Sequence, residues 1–271
     1  MPAFNDITPA QLMRLAGTPE APAIIDVRTA EDYAADPRRI PGAIRASHKD
    51  VADWAGRFAG RATVAVCQKG LKLSQGTAAW LRQAGASAET LEGGHLAWAA
   101  AGLPLVPDAA LPARDAEGRT LWVTRARPKV DRIACPWLIR RFVDPGAVFL
   151  FVAASEVEAV AERFGATPFD IEGVRWSHEG PLCTFDVMLR EFGLETPALQ
   201  HLALIVRGAD TARLDLAPEA AGLLAASLGL SRMYRDDLSQ LEAGMALYDA
   251  FYRWARDAAD ETHNWPAGKP A

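Results

Sequence analysis

Cysteine is scarce in this sequence, which has only Cys67, Cys135 and Cys183 in 271 residues. An odd number of widely spaced cysteines excludes a disulfide-stabilised scaffold and fits a reducing compartment. No apolar run reaches the roughly 20 residues that cross a bilayer as a helix. The first residues have neither the basic segment nor the apolar stretch of a secretory signal. We therefore expect a cytoplasmic protein with no membrane partner.

The sequence also lacks an excess of basic over acidic residues. The formal net charge is -5 at pH 7, and the acidic excess lies in the second half of the chain. This balance opposes general electrostatic binding to nucleic acid. Half of the residues are hydrophobic, so the chain can bury a sizeable core, and its length favours two domains.

Short apolar segments alternate with helical patterns over the first hundred residues. Strands are predicted near residues 23–28, 63–66 and 88–91, and helices near residues 74–84 and 96–101. This alternation predicts an α/β domain with a parallel sheet and helices on both faces.

Cys67 is the strongest candidate for chemistry. It follows the predicted strand at 63–66 and precedes a short loop containing Lys69 and Lys72. Backbone N–H groups of the loop and the N-terminus of the next helix would both stabilise a thiolate. We predict that Cys67 is a nucleophile. The alternative is a packed residue at a strand end, in a domain that only binds or positions a partner.

These segments resemble the rhodanese domain family. The matching residues are 25–28, 40–44, 66–74, 91–98 and 101–104. The resemblance covers roughly residues 5–106 and implies a thiosulfate-type sulfurtransferase that needs no cofactor. Cys67 would take a sulfane sulfur from a small donor as a persulfide and pass it to a thiol acceptor. The six-residue loop from Cys67 to Lys72 favours sulfur over phosphate, because related phosphatase domains use a loop one residue longer.

The resemblance also implies a set of substrate-binding residues around this loop. Gln68 and Lys72 stand where the family often has arginine. For Asp26 and Arg28, a structural ion pair near the loop is the alternative to substrate contact. The implied set is Gln68, Lys69, Gly70, Leu71, Lys72, Asp26 and Arg28.

We expect a rhodanese-like domain at 1–107, a linker at 108–118, a mainly helical α+β domain at 119–262 and a tail at 263–271. Four cations lie beside a predicted helix start at Asp131 or Pro136. They could bind an oxyanion or a phosphate backbone, since a helix N-terminus attracts anions, or they could pair with nearby carboxylates. These cations are Arg125, Arg127, Lys129 and Arg132.

Several local signals place the remaining elements of the second half. Ser155 is predicted to cap a helix with Glu158 in a capping box. A strand is predicted near 174–176, a helix from 197 to 207 that ends at Gly208, a helix from 218 to 228 that is interrupted at Gly229, and a final helix over 236–258.

The second half also offers metal-ligand residue types. His178 and Cys183 flank a predicted turn and could present a nitrogen and a sulfur to one ion. Asp210 follows the break at Gly208, and Glu242 borders the apolar stripe of the final helix. The alternative is a hydrogen-bonded histidine at a strand end and half-exposed carboxylates with basic partners.

This half resembles the C-terminal domain of chromate-resistance proteins. The resemblance covers roughly 119–260, and its matching segments are 122–124, 128–142, 168–171, 177–178, 183–185, 205–210 and 228–232. It implies a role in chromate or other oxyanion stress beside the sulfur chemistry of Cys67. Two alternatives stay open: a chromate-responsive DNA-binding regulator, with 125–141 as its recognition element, and a metal-dependent enzyme in this half.

Overall fold

A computed structural model describes residues 5–262 of the chain. Its first part contains a five-stranded sheet of order β1-β6-β5-β2-β4, in which neighbouring strands run parallel. The strands of this part are β1 (Asp6–Ile7), β2 (Ala23–Asp26), β3 (Arg38–Arg39), β4 (Ile44–Arg45), β5 (Ala62–Val66), β6 (Ser87–Leu91) and β7 (Val106–Pro107). Strands β3 and β7 form a separate two-stranded sheet. The helices are α1 (Pro9–Leu15), α2 (Ala30–Ala35), α3 (Val51–Trp54), α4 (Lys72–Gln83) and α5 (Gly94–Ala100).

Helices cover both faces of this sheet. Successive side chains of a strand point to opposite faces, and β2 shows it directly. Ile24 belongs to the apolar cluster of Leu12 and Trp98, from α1 and α5. Ile25 belongs to the cluster of Trp54, from α3. The predicted α/β architecture is confirmed.

The second part is mainly helical and carries a small parallel sheet of order β10-β8-β9. Its strands are β8 (Leu121–Arg125), β9 (Val148–Val152) and β10 (Thr167–Pro168). Its helices are α6 (Asp131–Leu138), α7 (Val157–Phe164), α8 (Thr184–Glu191), α9 (Pro197–Asp210), α10 (Ala220–Met233) and α11 (Asp237–Asp257). The predicted tail at 263–271 lies outside the described residues.

Helix α6 is the centre of the second core. Trp137 is fully buried, contacts the rings of Phe142, Tyr248 and Tyr252, and donates its indole N–H to Asp249 at 2.8 Å. Aromatic pairs in such arrangements add to the stabilisation from buried area. A helix packed on all sides in this way positions its first residue, Asp131, firmly.

Three predictions at glycines and caps are wrong. Helix α9 continues through Gly208 to Asp210; a Cβ at Gly208 would lie 2.9 Å from Ala220 Cβ, so this glycine permits close packing of α10. Helix α10 also runs through Gly229 without a break. Ser155 lies in a 3-10 turn before α7, and its hydroxyl donates to Glu156 instead of capping the helix.

The structure decides between the two predicted starts of α6 and corrects one predicted strand. Helix α6 begins at Asp131, so Pro136 lies inside the helix. Trp176 forms a single bridge to Phe169 where a strand was predicted.

The two parts are joined by direct contacts. Gly42 donates its N–H to the carbonyl of Phe142 at 2.6 Å. Gly17 has a positive φ of 75°, and a side chain there would collide with the Phe142 ring. Within the first part, β3 pairs antiparallel with β7, and Arg39 bonds Asp108 at 2.5 Å at the start of the segment that leads to the second part. Among residues 5–262, no helix is long and apolar enough to cross a membrane.

Candidate functional site

Cys67 lies where strand β5 ends and five residues before α4 begins. It is 4% exposed. Gly70 turns the intervening loop with a φ of 69°, and a Cβ there would lie 2.5 Å from the carbonyl oxygen of Leu91. Only glycine fits this conformation and this close approach.

Donors surround the sulfur of Cys67. Its Sγ lies 3.2 Å from the hydroxyl oxygen of Ser74, and that hydroxyl donates its proton to the carbonyl of Leu71 at 3.0 Å. Burial raises the pKa of the Cys67 thiol. Hydrogen bonds from the Ser74 hydroxyl and from the backbone N–H groups of Ser74, Lys69 and Leu71 outweigh that effect and lower the pKa below its ordinary value.

Helix α5 holds this loop in place. His95 donates its backbone N–H to the carbonyl of Cys67 at 3.0 Å, and Leu96 donates to the carbonyl of Gln68 at 3.1 Å. The His95 ring lies 2.9 Å from Asp36 Oδ2. These two bonds anchor the carbonyls of the loop to α5. The backbone N–H groups of Lys69, Leu71 and Ser74 bond the sulfur instead.

The predicted substrate-binding residues divide into two groups. Lys69 and Lys72 are exposed beside the loop, and the Leu71 side chain is 57% exposed. Gln68 is half-buried, and its Oε1 has no hydrogen-bond partner among the described residues. These four residues and Gly70 form the loop that follows Cys67, and their contact with a substrate stays a prediction.

Asp26 and Arg28 form the second group, and their geometry favours the structural alternative. Arg28 Nη2 lies 2.7 Å from Asp26 Oδ2, with the arginine side chain fully buried. The same guanidinium also donates to the carbonyls of Asp36 and Arg38. A guanidinium with all these partners fixes the loops beside the sheet and has little capacity left for a substrate.

A cavity of about 500 Å³ opens at the same edge of the sheet as Cys67. Its lining includes Arg45, the last residue of β4, and His48 and Lys49, which follow that strand. The carboxyl ends of β2, β4 and β5 lie together because these neighbouring strands run parallel. This edge therefore presents several cationic side chains.

The basic segment of the second part is largely committed to internal partners. Arg125 and Arg132 each lie 3.3 Å from Asp170 Oδ2. Arg127 donates to the carbonyl of Tyr234 at 2.9 Å. Burial and then the charges of Arg132 and Arg127 lower the pKa of Lys129. This geometry favours the alternative of pairing within the molecule over an oxyanion site.

The same segment cannot present a recognition helix to DNA in this arrangement. Seven of the eight residues of α6 are buried, including Cys135, Trp137 and Leu138. A recognition helix must place exposed side chains in a groove. The structure thus weighs against the DNA-binding alternative.

A second cluster forms around His178, where three elements and a loop converge. Its Nε2 lies 3.1 Å from Asp210 Oδ2 and 3.6 Å from both Asp131 Oδ2 and Asp170 Oδ1. Asp131 is the first residue of α6, Asp210 is the last of α9, and Asp170 follows β10. Asp170 adopts a left-handed φ of 52°, which few residues other than glycine adopt.

The charges in this cluster perturb one another. Burial, followed by the charges of Asp210 and Asp170, raises the pKa of Asp131 well above its ordinary value. Interaction with Asp170, and then with Asp131 and Asp210, raises the pKa of His178 to about 9 against the opposing effect of burial. Burial and Asp170 also raise the pKa of Asp210.

Of the four predicted metal ligands, the structure brings His178 and Asp210 into direct contact. Glu242 is 65% exposed and bonds Arg140 at 2.5 Å, away from this cluster. Cys183 is fully buried at the start of α8. Burial raises the pKa of its thiol well above the ordinary value, which disfavours the thiolate that a metal requires.

Sequence reasoning missed Asp131, Asp170 and Ser74. Asp131 has the sequence pattern of an ordinary acidic residue at a helix start, and no sequence motif marks Asp170. Nothing local shows that residues 131, 170, 178 and 210 meet. Ser74 was taken as the start of α4, although the helix begins two residues earlier and thereby turns this hydroxyl toward the sulfur.

Comparison with known families divides the chain into the same two parts as the fold does. Residues 8–101 match the rhodanese-like domain, and residues 122–255 match the ChrB C-terminal domain. The chain therefore carries a rhodanese-like domain followed by a ChrB C-terminal domain. It is 37% identical over 147 residues to Protein ChrB of Cupriavidus metallidurans, an alignment that covers 52% of this chain and 43% of that relative. The chain thus spans less than half the length of the curated relative.

Solved structures similar to the chain include three rhodanese-type proteins. A rhodanese-related protein of Thermoplasma volcanium is 22% identical, covering 38% of this chain and 98% of that one, with a TM-score of 0.33. A rhodanese-like domain protein of Staphylococcus aureus is 28% identical, with coverages of 35% and 91% and a TM-score of 0.32. A thiosulfate sulfurtransferase of Pseudomonas aeruginosa is 28% identical, with coverages of 39% and 20% and a TM-score of 0.32.

Proposed function

We propose that the N-terminal domain is a sulfurtransferase that carries sulfane sulfur as a persulfide on Cys67. The observation that carries this proposal is the ring of donors around the sulfur: the Ser74 hydroxyl at 3.2 Å and three backbone N–H groups. These donors stabilise the thiolate before the reaction and the charged persulfide after it. The match of residues 8–101 to the rhodanese-like domain supports the same chemistry.

The proposed reaction has two displacement steps. The Cys67 thiolate attacks the outer sulfur of a donor such as thiosulfate, a Sγ–S bond forms, and the donor's S–S bond breaks. The electron pair leaves with sulfite. An acceptor thiolate then attacks the terminal sulfur of the persulfide, and Cys67 leaves as the thiolate. No external oxidant or reductant is needed, because the acceptor carries away the sulfur.

The charge around the loop suits an anionic donor. Lys69 and Lys72 are exposed beside Cys67, and Arg45 and Lys49 line the cavity at the same sheet edge. Clustered cations raise the local concentration of small anions and hasten their association. Lysines bind as point charges without the planar fork of arginine, so this loop would accept anions of varied shape.

The biological setting that we propose is cytoplasmic chromate or oxyanion stress. Its support is the match of residues 122–255 to the ChrB C-terminal domain. In this setting the sulfur chemistry of Cys67 would supply persulfide to a thiol acceptor under oxidative load.

Steady-state sulfur transfer from thiosulfate to a thiol tests the activity. Cys67→Ser should abolish turnover. Cys183→Ser is the matched control, because Cys183 precedes α8 as its N-cap and serine is a favoured residue there; this variant should keep full turnover. Wild-type protein that transfers no sulfur from thiosulfate, polysulfide or mercaptopyruvate would contradict the proposal.

A further inference from the structure

We propose that the C-terminal domain binds a divalent first-row metal ion between His178, Asp131, Asp170 and Asp210. The four residues come from the start of α6, the loop after β10, the loop before α8 and the end of α9. This site is separate from Cys67 and does not depend on sulfur transfer.

The spacing of the donor atoms suits one cation. One oxygen each from Asp131 and Asp170 and a ring nitrogen of His178 lie within 4.8 Å of one another. The Nε2 of His178 lies 3.1 Å from Asp210 Oδ2. Ligand atoms that lie about 2.0–2.2 Å from one ion are roughly 3–3.5 Å apart. Small movements of these side chains would complete such a shell.

Asp131 supplies the second, independent sign of a missing partner. Its side chain is fully buried, and Oδ2 accepts the backbone N–H of Thr184 at 2.7 Å. Its other oxygen, Oδ1, is buried and has no hydrogen-bond partner among residues 5–262. An unpartnered, buried carboxylate oxygen is costly, and an ion bound beside it removes that cost.

A protonated His178 alone cannot bond all three carboxylates of this cluster. The Nε2 of His178 carries one proton, which can bond one oxygen, and Asp210 Oδ2 at 3.1 Å is the nearest. The oxygens of Asp131 and Asp170 lie at 3.6 Å, beyond a hydrogen bond. An ion attracts all three carboxylates at once.

Outer contacts hold the ligands in place, as they do around metal centres. The hydroxyl of Thr184 donates to Asp170 Oδ1 at 2.9 Å, while its N–H holds Asp131. Arg125 and Arg132 bond the other oxygen of Asp170. This carboxylate is thereby oriented with Oδ1 toward His178.

The donor set selects the class of ion. One imidazole nitrogen with carboxylate oxygens suits Mn²⁺, Fe²⁺ or Zn²⁺, whereas soft ions prefer thiolates. His178 is 41% exposed on its side chain, and an open cavity of about 680 Å³ is lined by His178, Asp170 and Arg125. The ion would therefore keep a coordination position open to water or to a small anion beside Arg125.

Metal analysis of the full chain, purified without chelators, tests the proposal. A second experiment titrates the chelator-treated chain with Mn²⁺, Fe²⁺ and Zn²⁺ in a calorimeter. We expect one ion per chain. His178→Gln and Asp131→Asn should each weaken binding at least tenfold. Glu242→Gln, whose carboxylate pairs with Arg140 outside the cluster, should bind as wild type does.

Thermal unfolding with and without Mn²⁺ guards against misfolded variants, because an ion that binds only the folded chain raises its Tm. Mn²⁺ should raise the Tm of wild type and of Glu242→Gln, and not that of folded His178→Gln. The proposal is overturned if folded wild type binds none of the three ions, or if His178→Gln and Asp131→Asn bind as tightly as wild type. Both readouts are independent of sulfur transfer, so either proposal can fail alone.

Discussion

Ser74 controls how readily Cys67 becomes a thiolate. When Cys67 is a thiol, its S–H donates to the serine oxygen, and the serine hydroxyl donates to the carbonyl of Leu71. When the thiol loses its proton, the hydroxyl can turn and donate to the sulfur, which is the stronger, charge-assisted bond. Burial alone would oppose ionisation, so the donors determine the sign of the pKa shift.

The alkylation rate of Cys67 should show this effect as a function of pH. The reactive form is the thiolate, so the rate rises as pH passes the thiol pKa, and the lowered pKa places the midpoint below that of an ordinary cysteine. Ser74→Ala removes a donor to the thiolate, which moves the midpoint upward and slows alkylation at neutral pH several-fold. Mass spectrometry of the Cys67 peptide over a pH series measures both.

Two variants serve as controls for this measurement. Ser74→Thr keeps a hydroxyl and should restore much of the rate. Thr77→Ala removes a buried hydroxyl from the same helix and should leave the midpoint where it is. An unchanged midpoint in Ser74→Ala would show that the serine does not tune the sulfur.

At the scale of elements, the loop after β5 depends on how closely α5 approaches it. Gly94 has a φ of 62°, and a side chain there would collide with the carbonyl of Cys67 and the N–H of Gly70. Gly76 lies within α4 and has open space around its missing side chain. Only glycine fits at position 94, whereas position 76 has room for a larger side chain.

Gly94→Ala should lower the free energy of unfolding by about 1–3 kcal/mol, since it adds both backbone strain and a clash. It should also abolish sulfur transfer by displacing the loop. Denaturant unfolding monitored by circular dichroism measures the stability. Full stability and full activity in this variant would contradict the described loop.

Gly76→Ala should raise the free energy of unfolding by about 0.5–1 kcal/mol, because alanine is preferred over glycine inside a helix. The same denaturation experiment measures it. A loss of stability would mean that the exposed face of α4 at Gly76 is occupied by another group.

The loop and the cluster differ in how far the sequence predicts them. Cys67, Gly70 and Lys72 lie within six residues, so strand, loop and helix patterns predict their geometry locally. Asp131 and Asp170 reach His178 only through the packing of α6 and the sheet, which no local pattern encodes. The predicted helix end at Gly208 is wrong for a related reason. Sequence patterns treat glycine as a helix end, but this glycine allows close packing against α10.

At the scale of the whole molecule, Phe142 links the two domains. It is 1% exposed, contacts Trp137 and Tyr252, and lies against Gly17 of the first domain. Its backbone carbonyl also accepts the N–H of Gly42. Phe142 therefore belongs to the core of the second domain and also contacts the first domain. We expect the domains to unfold in a single transition.

Phe142→Ala should lower the free energy of unfolding by about 3–5 kcal/mol, the range for truncating a buried phenylalanine. Because the ring also fills the contact with Gly17, the variant should separate the unfolding of the two domains into two transitions. Differential scanning calorimetry detects the split. One unchanged transition would contradict the described interface.

The most direct test of sulfur carriage is the mass of the Cys67 peptide after a single exposure to thiosulfate, with no acceptor present. The chemistry described above predicts a gain of one sulfur atom on that peptide, its loss when a thiol acceptor is added, and no gain on the peptides of Cys135 and Cys183. A Cys67 peptide that gains no sulfur, while the same protein is alkylated at Cys67, would contradict the proposed function.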